Sequence, residues 1–133
     1  MSEAKREAKI EAKIEAKIEA AGDTIFSKII AGTIPARIVH DDDRCLVFHD
    51  VNPQAPVHLL VIPKRGIVNV AALEAEDASL VGHLVLVAAE VARKLGITAG
   101  YRLVFNCGRD GGQSVDHLHL HLLAGRPLTW PPG

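Results

Sequence analysis

A strict alternation of histidine and leucine near the C-terminus constrains the fold more than any other feature of this sequence. Residues 117–123 read HLHLHLL, so three of the chain's seven histidines fall within five positions. An alternation of period two is typical of a β-strand, in which successive side chains point to opposite faces. We expect the leucines to face a core, while His117, His119 and His121 share the other face at a repeat of about 6.5–7 Å. A helix would scatter the rings, because residues two apart are not neighbours on a helix.

Three interpretations of this row of imidazoles follow from the residues alone. Neutral imidazole is a common zinc ligand. Imidazole is also a nucleophile and an acid–base group near neutral pH. The third interpretation is a half-exposed strand whose histidines have no chemical role. We disfavour it because adjacent histidines disturb each other's charge state, which is costly without a function.

Composition excludes several classes of protein. The length of 133 residues and the hydrophobic fraction of 48% fit one domain with a real core, plus an appendage. A net charge of −1 gives no basic field for nucleic acid. Cys45 and Cys107 form no CxxC pattern, which fits a reducing compartment. With no apolar run of about 20 residues and no signal-like N-terminus, we expect a cytoplasmic protein, also nuclear if eukaryotic, with no membrane or nucleic-acid partner.

The chain is predicted to divide into an extension, residues 1–22, and a domain, residues 23–133. Residues 3–20 read EAKREAKIEAKIEAKIEA, a four-residue repeat of strong helix formers. The (i, i+4) pairs within the regular repeat join like charges, which is mildly unfavourable. We therefore predict a frayed helical or disordered extension. The alternative, a basic amphipathic membrane anchor, is disfavoured because Glu matches Lys almost one for one.

The domain itself shows an α+β pattern. A short helix is predicted over residues 23–32, with Asp23 as its N-cap and Gly32 as its stop. The main helix is predicted over residues 76–96, with an apolar face at Leu80, Leu84, Ala88, Val91 and Leu95. Strands are predicted at residues 36–41, 44–50, 57–64, 101–108 and 117–125. Hairpin-length links favour an antiparallel sheet covered on one face by the main helix.

Several stretches together carry a resemblance to a known family. HLHLHLL matches His-φ-His-φ-His-φ-φ (φ hydrophobic), the motif of the histidine triad superfamily. The stretches DTIFSKIIAGTIPA, CLVFHDVNPQAPVHLLVIPK and GGQSV and the final WPPG resemble its Hint branch of nucleotide-binding proteins. The resemblance implies the HIT-like fold, a five-stranded antiparallel sheet with one main helix and a short N-terminal helix, paired into a ten-stranded homodimer. It also implies cofactor-free and metal-free hydrolysis of purine nucleoside phosphoramidates to AMP and an amine.

The resemblance further assigns roles to individual residues. His119 matches the nucleophile, and His121 the residue that contacts the phosphate and leaving group. His117 and His58 would complete a network that sets tautomers and passes a proton to the leaving amine. Asp50 matches the acceptor of both ribose hydroxyls, a task that suits an acceptor-only carboxylate. The remaining substrate contacts implied are Asn106 and the loop residues Gly112, Gln113, Ser114 and Val115 near the phosphate, Phe26, Ile29, Phe48, His49 and Val51 around the base, and Trp130 in a tail that reaches the partner subunit's site.

Three alternatives stay open. The first is a dinucleoside polyphosphate hydrolase of the Fhit branch, against which the WPPG tail argues. The second is a nucleotide-binding regulatory or scaffold protein whose hydrolysis is incidental. The third is a zinc protein built on the row of histidines, which would leave the GGQS loop unexplained.

Overall fold

The computed structural model describes residues 4–5 and 23–133. The predicted extension over residues 1–22 therefore lies outside the described residues, apart from the helical, exposed pair Ala4 and Lys5. None of the described helices is long and apolar enough to cross a membrane.

Helix α1 spans Ile25–Ile30 and begins with a reciprocal capping interaction. The Thr24 hydroxyl accepts a hydrogen bond from the Ser27 N–H at 3.1 Å, and Ser27 Oγ accepts one from the Thr24 N–H at 2.8 Å. The prediction of Asp23 as N-cap is therefore wrong by one residue. Its carboxylate accepts instead from the Ser27 hydroxyl at 3.0 Å. Gly32, with φ of +78°, follows the helix end as predicted.

Five antiparallel strands form one sheet in the order β1-β2-β3-β5-β4. The strands are β1 (Ile38–Asp41), β2 (Cys45–His49), β3 (Val57–Pro63), β4 (Tyr101–Phe105) and β5 (Leu120–Ala124). The register pairs Leu60 of β3 with both Phe48 of β2 and His121 of β5. Because paired residues share a face, and alternate residues along a strand do too, His58 and His121 lie on the same face of the sheet. The predicted five-stranded antiparallel sheet is confirmed.

The opposite face of the sheet packs against the main helix, α2, which spans Ala78–Lys94. Two 3-10 turns that the sequence pattern did not indicate, Val70–Ala72 and Ala75–Asp77, precede it. The prediction that Leu95 lies on the buried face is wrong. Leu95 follows the last helical residue, where the chain turns away from the sheet, and it is 47% exposed. The buried helical residues are Leu80, Leu84, Val87, Ala88, Val91 and Ala92.

The last strand is shorter at its start than the alternation predicts, since β5 begins at Leu120 and not at residue 117. Its neighbour β3 ends at Pro63, which has no N–H to donate to a longer ladder. The Leu118 N–H instead donates to the Ile67 carbonyl at 2.6 Å. The prediction that the leucines of this stretch face the core is nevertheless confirmed. Leu118, Leu120 and Leu122 are all buried beneath α2.

Candidate active site

A cleft of about 250 Å³ lies between α1 and the face of the sheet that α2 leaves open. Its floor is apolar, because Phe26 of α1 packs edge-on against Phe48 of β2 with ring centroids 5.6 Å apart. Ten of the residues predicted to form the site line this cleft: Phe26, Ile29, Phe48, His49, Asp50, Val51, Ser114, Val115, His119 and His121. Val51 lies at its rim and is 98% exposed.

Five further residues line the cleft that sequence reasoning did not assign to it: Ile25, Ile34, Pro35, Ala36 and Leu60. For Leu60 a signal was present, because alternation along β3 puts it on the face of His58. Residues 34–36 follow the turn after α1, and no periodicity in the sequence indicates that they line a site. Their place in the cleft depends on how that turn folds back over the sheet.

The other predicted site residues do not line the cleft in this chain: His58, Asn106, Gly112, Gln113, His117 and Trp130. The Gln113 side chain is bound to backbone, accepting from the Gly108 N–H at 3.0 Å and donating to the carbonyls of Val68 and Val115 at 2.8 and 2.9 Å. It therefore fixes the loop that presents Ser114. Trp130 is 81% exposed.

The hydrogen bonds of His119 determine which of its nitrogens is free. Its Nδ1 lies 2.7 Å from the carbonyl oxygen of His117, so this nitrogen carries the proton and donates it. The unprotonated nitrogen of the neutral ring is then Nε2, which keeps its lone pair. Phe26 packs edge-on against the same ring at 5.0 Å between centroids and restricts its rotation. These two contacts hold the His119 ring in one tautomer and one orientation.

His58 and His121 form a hydrogen-bonded pair beside it. The Gln54 backbone N–H donates to His58 Nδ1 at 3.0 Å, so the His58 proton lies on Nε2. That Nε2 is 2.9 Å from His121 Nδ1 and 3.5 Å from Asp50 Oδ2. His121 Nδ1 accepts, which places its own proton on Nε2. Within the described residues this Nε2 is buried without a hydrogen-bond partner, so His121 offers a donor that a bound ligand would satisfy.

Burial favours the neutral forms of four histidines in and around the cleft, His49, His58, His117 and His121. Burial, reinforced by the neighbouring His119 and His58, lowers the pKa of His121 to about 4. Burial likewise lowers the pKa of His58, and that of His117, whose Nε2 donates to the Pro63 carbonyl at 2.9 Å. Burial also lowers the pKa of His49 at the cleft wall. A neutral ring can accept a hydrogen bond at one nitrogen and donate at the other, as the His58–His121 pair does.

The row of histidines does not converge as a three-histidine metal site. The rings of His119 and His121 approach to 4.9 Å between centroids, closer than the predicted repeat along the strand. Among the described residues, only His121 of the three belongs to a group of donor atoms within 4.8 Å of one another, with His58 and Asp50.

A larger concavity, of about 570 Å³, lies elsewhere, beside Gly96–Gly100 and Gly125–Pro127. Of the described residues in its lining, Arg126 alone is titratable, and none is a predicted site residue. The smaller cleft is therefore the candidate active site, because two imidazoles, a hydroxyl and a carboxylate line it together.

Comparison with known proteins agrees with this geometry. The HIT domain family model matches residues 31–128, about three-quarters of the chain. The chain belongs to the HIT domain family. An uncharacterized HIT-like protein of Synechocystis sp. is 60% identical to this HIT chain over 113 residues, covering 85% of it and 99% of the relative. A second uncharacterized HIT-like protein, from Synechococcus elongatus, is 59% identical over 111 residues, covering 84% and 97%.

Two solved structures of similar proteins have the same fold as this chain. A HIT family hydrolase from Legionella pneumophila superposes with a TM-score of 0.82 at 46% identity, covering 84% of this HIT chain and all of that one. A histidine triad protein from Clostridium difficile gives a TM-score of 0.79 at 43% identity, covering 81% and 95%. The predicted α+β HIT fold is confirmed, and the chain is a HIT family hydrolase-like protein.

Proposed function

We propose that this HIT chain, as a Hint-type enzyme, hydrolyses purine nucleoside 5′-phosphoramidates and related acyl and aminoacyl adenylates. The products are AMP, or GMP, and the freed amine or acid. The observation that carries the proposal is the tautomer of His119. Its Nδ1 proton is bound to the His117 carbonyl at 2.7 Å, so Nε2 of the neutral ring keeps the lone pair that would attack phosphorus.

The proposed reaction has two steps. Nε2 of His119 forms a bond to the α-phosphorus as the bond from phosphorus to the leaving group breaks, giving a nucleotidyl-histidine. A leaving amine gains its proton through the Nε2–H of His121. Water then attacks phosphorus, returns a proton to the same relay and frees His119. Splitting one substitution into two lowers each barrier, because the phosphorus–nitrogen bond of the intermediate is itself labile.

The surroundings of His119 suit a nucleotide. Apolar side chains of Phe26, Ile29 and Phe48 offer flat contacts to a base, which favour purines by area while separating adenine from guanine poorly. Asp50 Oδ1 accepts from the Asn52 N–H at 2.8 Å, which orients the carboxylate toward a ribose. The Ser114 hydroxyl lies in the same cleft, where it would donate to a phosphate oxygen.

A homodimer and a cytoplasmic location are part of the same proposal. Strand β4 is an edge of the sheet, and pairing two such edges would give ten continuous strands. Tyr101 on β4 and Trp130 in the tail are exposed aromatic residues that a second copy would cover. The free thiols of Cys45 and Cys107 fit a reducing compartment.

Turnover of adenosine 5′-phosphoramidate and of diadenosine triphosphate, measured side by side, tests the proposal. We expect kcat/KM to favour the phosphoramidate by at least about tenfold, or about 1.4 kcal/mol of transition-state stabilisation. His119→Ala is the control for contaminating hydrolase. Preference for the dinucleotide would contradict the Hint assignment in favour of the Fhit branch. AMP binding without turnover of either substrate would support a regulatory protein instead.

A further inference from the structure

A second cluster of ligand-type side chains lies outside the cleft, where β1, β2 and α2 meet. Oδ2 of Asp42 is at its centre, 2.7 Å from His40 Nε2 and 2.8 Å from His83 Nε2. The thiol of Cys45 lies 3.4 Å from the same oxygen. The donor atoms of His40, Asp42 and Cys45 all fall within 4.8 Å of one another. None of these four residues lines the cleft.

We propose that His40, Asp42, Cys45 and His83 bind one divalent transition-metal ion with the coordination chemistry of zinc. One thiolate, two imidazoles and one carboxylate make a four-ligand set of the kind found in tetrahedral zinc sites. The soft sulfur and the borderline nitrogens select against magnesium and calcium, which prefer oxygen ligands. The thiolate and the carboxylate together neutralise a divalent charge, which lowers the cost of placing the ion beside a buried strand.

The local backbone already orients the central carboxylate. Oδ1 of Asp42 accepts hydrogen bonds from the backbone N–H groups of Arg44 and Cys45, at 2.8 and 2.9 Å. That leaves Oδ2 as a single oxygen directed at the imidazoles and the thiol. Such support from outside the ligand set is what fixes a metal-binding side chain in its working orientation.

The cluster is buried on its inner side and accessible to solvent on its outer side. Cys45 is fully buried in the core beneath α2, and it fixes one ligand position. His40 and His83 are partly exposed, and an open concavity of about 290 Å³ beside His83 and Arg44 reaches the cluster from solvent. An ion can therefore enter without unfolding of the domain.

Metal binding requires a defined set of proton changes. Cys45 binds as thiolate, so its S–H proton passes to water, and each imidazole must carry its proton on Nδ1 to free Nε2. The hydrogen bonds that Asp42 accepts from the two rings are thereby replaced by bonds to the metal. With metal–ligand bonds of about 2.0–2.1 Å, the facing nitrogen and oxygen atoms separate to roughly 3.3 Å, an opening of about 0.5 Å. Side-chain rotation of the partly exposed histidines supplies this movement.

Cobalt(II) titration of the full chain, without an affinity tag and stripped by a chelator, tests the proposal. We expect one ion per chain, a thiolate-to-cobalt charge-transfer band and the intense visible bands of tetrahedral coordination, all abolished by Zn²⁺. Cys45→Ser should lose the charge-transfer band, and His83→Gln should weaken binding by at least about tenfold. Zn²⁺ should raise the Tm of the wild type and not that of Cys45→Ser.

Two matched controls locate the ion. Cys107→Ser removes the other thiol, and His121→Asn disrupts the group formed by Asp50, His58 and His121. Both should bind cobalt as the wild type does. Absence of a charge-transfer band in the wild type would overturn the proposal, as would its loss in Cys107→Ser. If Cys45→Ser does not fold, unchanged cobalt affinity in both His40→Gln and His83→Gln would overturn it.

Discussion

His121 is the residue of the cleft whose surroundings change its proton affinity most clearly. It is enclosed by His58 and His119, and burial with these neighbours lowers its pKa to about 4. A neutral His121 can accept from His58 and still present an Nε2–H, whereas a charged ring would break the first of these hydrogen bonds. The same burial that defines the tautomer therefore makes the site sensitive to acid.

Stability is predicted to fall as the pH falls from about 6.5 to about 4. An unfolded histidine has a pKa near 6.5, so in this range the unfolded chain takes up protons that folded His121 does not. This contribution is fully present above about pH 6.5, and at pH 4 roughly 3 kcal/mol of it is lost for this residue. Urea unfolding across the range measures the effect, and His121→Asn should show a shallower dependence. Stability that rises on acidification over this range would contradict the assignment.

At the scale of elements, the apolar periodicity of the main helix predicts its buried face correctly except at the C-terminal end. The apolar spacing predicted a buried face that includes both Leu84 and Leu95. The structure buries Leu84 completely, whereas Leu95 lies beyond the last helical turn and is half-exposed. The spacing of apolar residues continues in the sequence beyond the end of the helix. Leu95 therefore fits the pattern of the buried face as Leu84 does, and only the position at which the helix ends distinguishes them.

The two leucines give a matched pair for mutagenesis. Leu84→Ala should lower the free energy of unfolding by about 2–5 kcal/mol, because it leaves a cavity under the sheet. Leu95→Ala should cost about 1 kcal/mol or less, since its surroundings are already half open to solvent. Chemical denaturation of both variants checks the difference. Equal losses would show that the helix extends its buried face to Leu95 after all.

The strands show which features were predictable from the sequence. Alternation and turn residues predicted five strands and their antiparallel pairing, because both signals are local. The start of β5 was missed, since it depends on Pro63 of a neighbouring strand 57 positions earlier in the sequence. Alternation indicated that the imidazoles share a face. The tautomers of His119 and His58 could not be predicted, because they depend on the backbone groups of His117 and Gln54.

At the scale of the whole molecule, the two faces of the sheet have different roles. One face is buried by α2 and supplies most of the core, while the other carries the cleft beneath α1. Among the residues that the structure describes, those that line the cleft begin at Ile25, and the core residues begin at Phe26. The cleft and this core both lie within residues 23–133, the predicted domain.

Deleting residues 1–20 should therefore leave turnover and dimerisation nearly intact. We expect kcat/KM of the shortened chain within about twofold of the full chain, or about 0.4 kcal/mol. Steady-state kinetics and sedimentation of the two chains side by side make the comparison. A shortened chain that aggregates or loses most of its turnover would show that the repeat is part of the working structure.

The most direct test of the proposed chemistry is to trap the intermediate on His119. Rapid acid-free quenching of the wild type during turnover of an adenylated amine, followed by peptide mapping, should find AMP bonded to His119. His119→Ala should carry no label and lose on the order of 10³-fold in kcat, roughly 4 kcal/mol of barrier, while its AMP affinity stays within about tenfold. Label on another residue, or a fully active His119→Ala enzyme, would contradict the assignment of His119 as the nucleophile.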